Sequence, residues 1–309
     1  MMLRTRFFIF LCLYFLTIDL SLAQQDQLFN SYTLLPMAIN PAYAGSRDVV
    51  SISGIYRKKP LFANQGIVTT TQQYFNFDMP IANDKIGIGF QAYNAEIYGS
   101  NTGAVLGNLG LYADLAYRIT LPSHGILSVG SQIGLTQIPV VSQGSSNILK
   151  TSVGLGAFYK TDDWYVGLSV PNINAENYYT KNVYLNGGYL FSLSDLTKLK
   201  VGSLVRRQTI NQQSTIAIDY NAELWLNERF GIGFNYMNTG SEVNSKALLG
   251  ILEVQLAKFR FSYTYDFEGA STPQGITSAN NSNQGGFHQL MLRYEFDSGN
   301  GKSAVFRYF

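Results

Sequence analysis

From Val49 onward, apolar and polar residues alternate with a period of two along most of the chain. This is the repeat at which successive side chains of a β-strand turn to opposite faces. Phe259, Phe261, Tyr263, Tyr265 and Phe267 alternate with Arg260, Ser262, Thr264 and Asp266. Phe230, Ile232 and Phe234 alternate with Gly231, Gly233 and Asn235, and Leu290, Leu292 and Tyr294 are set against Gln289, Arg293 and Glu295. The pattern predicts fourteen strands, near 48–57, 67–78, 85–93, 105–120, 126–136, 151–160, 164–170, 183–192, 199–207, 215–225, 230–237, 247–256, 259–267 and 287–296. No segment after Ala23 has the period of a long amphipathic helix.

The connections between these strands alternate in length. Short turns are expected near 80–84, 122–125, 161–163, 194–198, 227–229 and 257–258, and longer polar loops near 58–66, 94–104, 137–150, 171–182, 208–214, 238–246 and 268–286. Tight turns on one rim and long loops on the other describe a transmembrane antiparallel β-barrel. An even strand count places both ends of the barrel on the short-turn side, which faces the periplasm in outer-membrane barrels.

Energy then selects the faces. An Arg or Lys on the lipid face near the midplane costs roughly 2–4 kcal/mol. The in-strand charges Lys85, Asp114, Arg118, Asp219, Glu223, Arg260, Asp266, Arg293 and Glu295 therefore belong in the lumen, opposite the aliphatic and aromatic stripe. There they can pair, hydrate or brace the interior.

Composition agrees with a membrane barrel. Charged residues make up only 14% of the chain, against about 25% in soluble domains. Aromatic residues make up another 14%, and apolar residues are dispersed rather than gathered into helix-length runs. The net charge of +2 gives no signal for nucleic acid or another polyanion.

The N-terminus has a different character. Arg4 and Arg6 precede an apolar run from 7 to 16, and small residues follow at Ser21 and Ala23. The run is too short to span a bilayer as a helix, so 1–23 reads as a cleaved export signal. The single cysteine, Cys12, lies inside it, which leaves the mature chain without a thiol, a disulfide or a cysteine-held metal. It does not sit at the cleavage point, so a lipoprotein anchor is not supported.

Residues 24–46 do not alternate. Pro36 and Pro41 lack backbone donors, and Asn40 before Pro41 is pushed toward extended geometry. A segment this rich in Tyr, Leu, Met and Pro should fold into the barrel mouth or lumen as a plug, ahead of a barrel over 47–297 and a periplasmic tail over 298–309. The segment also carries a family likeness. Gln24-Gln25-Asp26, Phe29-Asn30-Ser31-Tyr32, Pro36 and Asn40-Pro41-Ala42-Tyr43-Ala44-Gly45-Ser46 closely resemble the PorP/SprF family of the Bacteroidetes. The resemblance runs on through Ile86-Gly87-Ile88-Gly89-Phe90, Tyr165-Val166-Gly167-Leu168-Ser169-Val170 and the Phe306-Arg307-Tyr308-Phe309 end. Leu34-Leu35-Pro36-Met37 stands where the family commonly has an Asn-Pro pair.

The resemblance implies an outer-membrane component associated with type IX secretion and gliding. Such a protein would bind a secreted or surface-anchored adhesin-like cargo and contact secretion or motility components. The residues expected to bind a partner or form the plug are Tyr32, Pro36, Asn40, Pro41, Tyr43 and Gly45, with loop residues near 174–179 and 272–283.

Two other function classes compete with this one. A porin or fatty-acid-type channel would also use a plugged barrel of this size. An outer-membrane enzyme would need residues that are missing. His124 and His288 are far apart, and Gly301-Lys302-Ser303 lacks the upstream glycine of a phosphate loop. Gly167-Leu168-Ser169-Val170-Pro171 lacks the closing glycine of a nucleophile elbow. No enzymatic activity and no cofactor are expected.

Overall fold

The structure is a computed structural model that describes residues 32–63, 66–99, 105–122, 125–142, 144–174, 181–210, 213–238, 246–267, 286–297 and 308–309. The expected export signal lies outside the described residues. Fourteen strands form one closed barrel. They are β1 (Val50–Ala63), β2 (Gly66–Ile81), β3 (Ile86–Gly99), β4 (Val105–Thr120), β5 (Ile126–Ser142), β6 (Gly144–Lys160) and β7 (Trp164–Val170). They continue as β8 (Lys181–Ser192), β9 (Thr197–Ile210), β10 (Gln213–Leu226), β11 (Phe230–Asn238), β12 (Lys246–Leu256), β13 (Phe259–Asp266) and β14 (His288–Phe296). Each strand pairs antiparallel with its sequence neighbours, and β1 closes on β14 with Val50 opposite Phe296 and Lys58 opposite His288. Closure leaves no sheet edge in the membrane, where an unpaired N–H or C=O would cost several kcal/mol.

The period-two pattern becomes an inside and an outside. On β13, Phe259, Phe261 and Tyr263 are exposed outward, while Arg260, Ser262, Thr264 and Asp266 are buried inward. On β14, Leu290 and Leu292 face out, and Gln289, Arg293 and Glu295 face in. The outer surface carries Leu111, Leu115, Ile133, Leu155, Leu185 and Ile232 in a continuous apolar band. Exposed aromatic residues gather near the short-turn rim: Tyr117 near the end of β4, Trp164 at the start of β7, Tyr189 and Phe191 near the end of β8, and Phe230 and Phe259 at the starts of β11 and β13. Amphipathic rings prefer the level of the lipid headgroups, so this girdle marks one membrane interface.

The strands are longer on the other rim than the sequence pattern indicates. Much of the expected loops at 58–66, 137–150 and 208–214 is strand, since β1 runs to Ala63, β6 begins at Gly144, and β10 begins at Gln213. The alternation of short and long connections therefore holds only in part. The backbone ladder of these hairpins continues past the residues whose side chains alternate, so the period-two signal stops short of the strand ends. Seventeen residues in β5 span roughly 58 Å, well beyond an apolar band of about 25 Å.

Candidate functional site

The lumen is filled by the chain that precedes β1. Two short 3-10 turns, Pro36–Ala38 and Pro41–Tyr43, fold residues 32–49 into a compact insert whose side chains are mostly buried. The insert runs three residues past the expected boundary at 46, because Arg47 to Val49 are still inside and β1 starts only at Val50. Each proline sits at the start of its turn, where a missing N–H costs nothing. Asn40 is extended, with φ −141° and ψ 108°, and its Oδ1 accepts from the Ala42 amide at 3.0 Å to cap the second turn.

Irregular backbone inside a membrane barrel must have its polar groups met by protein. Wall side chains meet them here. Arg293 of β14 donates to the Leu34 carbonyl at 2.5 Å, Gln91 of β3 donates to Met37 at 3.1 Å, and Ser169 of β7 donates to Ile39 at 2.5 Å. Lys160 of β6 donates to the Ser46 carbonyl, and Asn40 donates from its Nδ2 to the Ala157 carbonyl at 3.0 Å. The apolar residues of the insert divide among three clusters, one of which joins Met37, Ala42, Tyr43 and Ala44 to Ala116 and Phe158. Leu34, Leu35 and Ala38 pack with Ile55, Tyr74, Tyr93 and Tyr112, whereas Tyr32 and Ile39 pack with Tyr184, Leu204, Leu249 and Phe287.

The second turn lies on bare backbone. A Cβ on Gly87 would strike the Ala44 carbonyl, and one on Gly130 would strike Pro41 and Ala42. A Cβ on Gly156 would meet the Asn40 carboxamide, as would one on Gly167. These glycines of β3, β5, β6 and β7 form a floor on which Asn40-Pro41-Ala42-Tyr43-Ala44-Gly45 rests. Gly45 itself has φ +70° and packs against Gly87, a conformation and a spacing that glycine alone tolerates easily.

Charges pin the end of the insert. Arg118 and Lys160 both pair with Asp48, the second at 3.3 Å. Arg47 reaches Glu295 at 3.6 Å and Asp78 at 4.0 Å, with its guanidinium 5.6 Å from the Tyr43 ring. Deeper in the wall, Asp114 accepts from Gln91 and Gln132, each at 2.7 Å, which ties β3, β4 and β5 together beneath Met37.

The sequence-predicted residues fall as follows. Tyr32, Asn40, Pro41, Tyr43 and Gly45 are buried in the insert, and Pro36 is half-buried beside an internal cavity. Asp114, Arg118, Asp219, Glu223, Arg260, Asp266, Arg293 and Glu295 all turn inward. Lys85 does not: it lies in the turn before β3 and is exposed at the rim, one residue short of the strand whose alternation would have turned it in. The Asn174 side chain is engaged with the barrel, accepting from the Val153 amide at 2.8 Å and donating to the Thr151 carbonyl at 3.0 Å. The other loop candidates, 175–179 and 272–283, lie outside the described residues. Of the expected tail over 298–309, only Tyr308 and Phe309 are described, and they line the same cavity as Pro36.

Further lumen-facing residues carry the same period-two signal. Arg57, Asp78, Arg206 and Glu253 have the inward parity of their strands, as does Trp225, two residues after Glu223. Among the described residues, no group of three His, Cys, Asp or Glu could hold a metal ion.

The fold has many counterparts among solved structures. A FadL homologue from Pseudomonas aeruginosa is 10% identical with a TM-score of 0.50, over 83% of this chain and 93% of that one. The outer membrane protein Omp33 from Acinetobacter baumannii is 9% identical with a TM-score of 0.44, over 80% and 98% respectively. At this identity the likeness concerns the fold alone. No curated protein matches in sequence. The family model of the type IX secretion system membrane protein PorP/SprF does match, over residues 21–294, and the chain belongs to that family.

Proposed function

We propose that this outer-membrane barrel is a non-enzymatic accessory of type IX secretion that binds a secreted, adhesin-like protein and helps deliver it to the cell surface or hold it there. Family membership supports a secretion-associated role. The observation that carries the reading further is the packed lumen. Residues 32–49 are hydrogen-bonded and ion-paired to β3, β4, β6, β7 and β14, so the interior serves as a scaffold and leaves little room for a solute path. An open porin would need that space, whereas a fatty-acid-type channel also uses a plugged barrel and is told apart by the uptake arm of the test below.

In this reading the short-turn rim faces the periplasm, where it meets secretion or motility components, and the long-loop rim meets the cargo. Lipid covers the apolar band. The test is deletion of the gene, with the surface proteome compared before and after. Loss of one specific surface protein is expected, and that protein should co-purify with the barrel from detergent-solubilised outer membrane. An unchanged surface proteome together with loss of uptake of a solute overturns the proposal in favour of a channel.

A further inference from the structure

Beside the plug, toward the short-turn rim, the lumen keeps a small cavity of about 50 Å³ whose walls include Arg47, Lys200, Glu253, Arg260 and Arg293. Tyr308 and Phe309 line it as well. Their contacts are made with aromatic residues. Phe309 stands edge-on to Tyr165 at 4.9 Å, and Tyr308 stands edge-on to Trp225 at 6.3 Å.

Both receiving rings belong to larger sets. Tyr165 packs on Phe158 at 5.7 Å, and Phe158 packs edge-on to Tyr43 of the plug at 5.2 Å. The rings thus run Phe309, Tyr165, Phe158, Tyr43 from the tail to the plug without a gap. Trp225 carries the Arg260 guanidinium over its face at 5.0 Å and is 1% exposed. An indole facing a charged lumen stays this dry only when something covers it. Edge-to-face rings with a guanidinium on the remaining face satisfy the ring quadrupoles on both sides.

We propose that the short-turn half of the lumen is a binding site for two consecutive aromatic side chains of a peptide, and that the chain's own Tyr308-Phe309 is its resident occupant. The tail then acts as a second stopper that props the plug through Tyr165 and Phe158.

Trp164 and Trp225 are the two tryptophans of the chain, so Trp164→Phe leaves Trp225 as the sole indole reporter. In that background, acrylamide quenching of the reconstituted full-length barrel is compared with and without Tyr308→Ala/Phe309→Ala, and heat-dependent gel mobility confirms that each barrel is folded. A severalfold rise in quenching is expected for the double variant, and none for Tyr308→Phe/Phe309→Tyr. A free Phe-Arg-Tyr-Phe peptide should restore the shielding in the double variant, whereas Phe-Arg-Ala-Ala should not. Equal quenching with and without the aromatic tail overturns the proposal, as does failure of the aromatic peptide to protect Trp225.

Discussion

Asn40 donates from its Nδ2 to the carbonyl of Ala157, 117 residues further along the chain and 3.0 Å away. The same carboxamide accepts from Ala42 with its oxygen, so one side chain both shapes the plug's second turn and fastens it to β6. Removing it strands a buried amide and a wall carbonyl. Each unsatisfied group costs about 1–3 kcal/mol, so Asn40→Ala should lower the thermal unfolding midpoint of the purified barrel and expose residues 32–49 to protease. Asn40→Asp keeps the acceptor but loses the donor and buries a charge, and it should be no milder. An Asn40→Asp barrel as stable as the wild type would contradict the assigned donor.

The glycine floor gives a sharper test, because it changes the wall and leaves the plug untouched. A methyl group at Gly87 collides with the Ala44 backbone, and one at Gly156 collides with Asn40. Overpacking of this kind costs about 1–3 kcal/mol, and the insert gives way more easily than a closed sheet. Gly87→Ala and Gly156→Ala should therefore keep barrel assembly while raising conductance in planar bilayers. Gly54→Ala points a methyl outward into open space and serves as the control, with conductance unchanged.

What was legible from sequence was the part that repeats. Fourteen strands and their two faces follow from alternation at positions such as Phe230-Gly231-Ile232-Gly233, where every second residue must suit lipid. The insert was legible as an exception to that rule, and Tyr32, Asn40, Pro41, Tyr43 and Gly45, singled out within it, are all buried in the lumen. The partners were not. Nothing local to Gly156 or Gly167 says that Asn40 will occupy the space a side chain would fill, because that choice is made across more than a hundred residues. Lys85 was misplaced because a turn of residues with positive φ, Ala82 to Asp84, delays the strand to Ile86. The loop ends differ for a related reason: the backbone ladder of a hairpin continues past the residues that alternate.

Asp48 joins the end of the plug to two strands through Arg118 and Lys160. Its backbone has φ 58°, a region in which Asn is tolerated as well as Asp, so Asp48→Asn removes the charge without adding strain. Two cations would then face each other largely out of water. Breaking a buried pair costs about 3–5 kcal/mol, and the partial exposure of Asp48 reduces this to about 2 kcal/mol. The variant should unfold at lower temperature or denaturant, and the added change Lys160→Met should recover part of the loss. If the single and double variants are equally destabilised, Lys160 contributes nothing to the cluster.

Burial pushes the Tyr43 phenol up from its ordinary range, and the Tyr32 phenol well above it. A group whose folded value is raised stabilises the docked plug fully below its unfolded value, near pH 10 for tyrosine. That contribution is lost as pH climbs toward the folded value. Plug docking should consequently hold through neutral pH and weaken only in strongly alkaline buffer. Titration followed at the phenolate absorbance should show a late-ionising class that shrinks in a Tyr32→Phe/Tyr43→Phe variant. Ionisation of the full tyrosine set in one step near pH 10 would contradict the buried placement.

The depth of the barrel in the bilayer can be read from a single strand. Leu115 and Ile119 both point outward from β4, at 54% and 41% exposure, but Ile119 is next to the end of the strand beside the aromatic girdle and Leu115 is two pleat repeats deeper. A cation near the midplane costs about 2–4 kcal/mol, and one at the interface about 0–1 kcal/mol. Leu115→Arg should therefore depress folding into lipid vesicles far more than Ile119→Arg, where a long side chain can reach the headgroups. Equal penalties at the two positions would move the membrane boundary away from the short-turn rim, and with it the level at which the plug, the glycine floor and the tail sit relative to lipid.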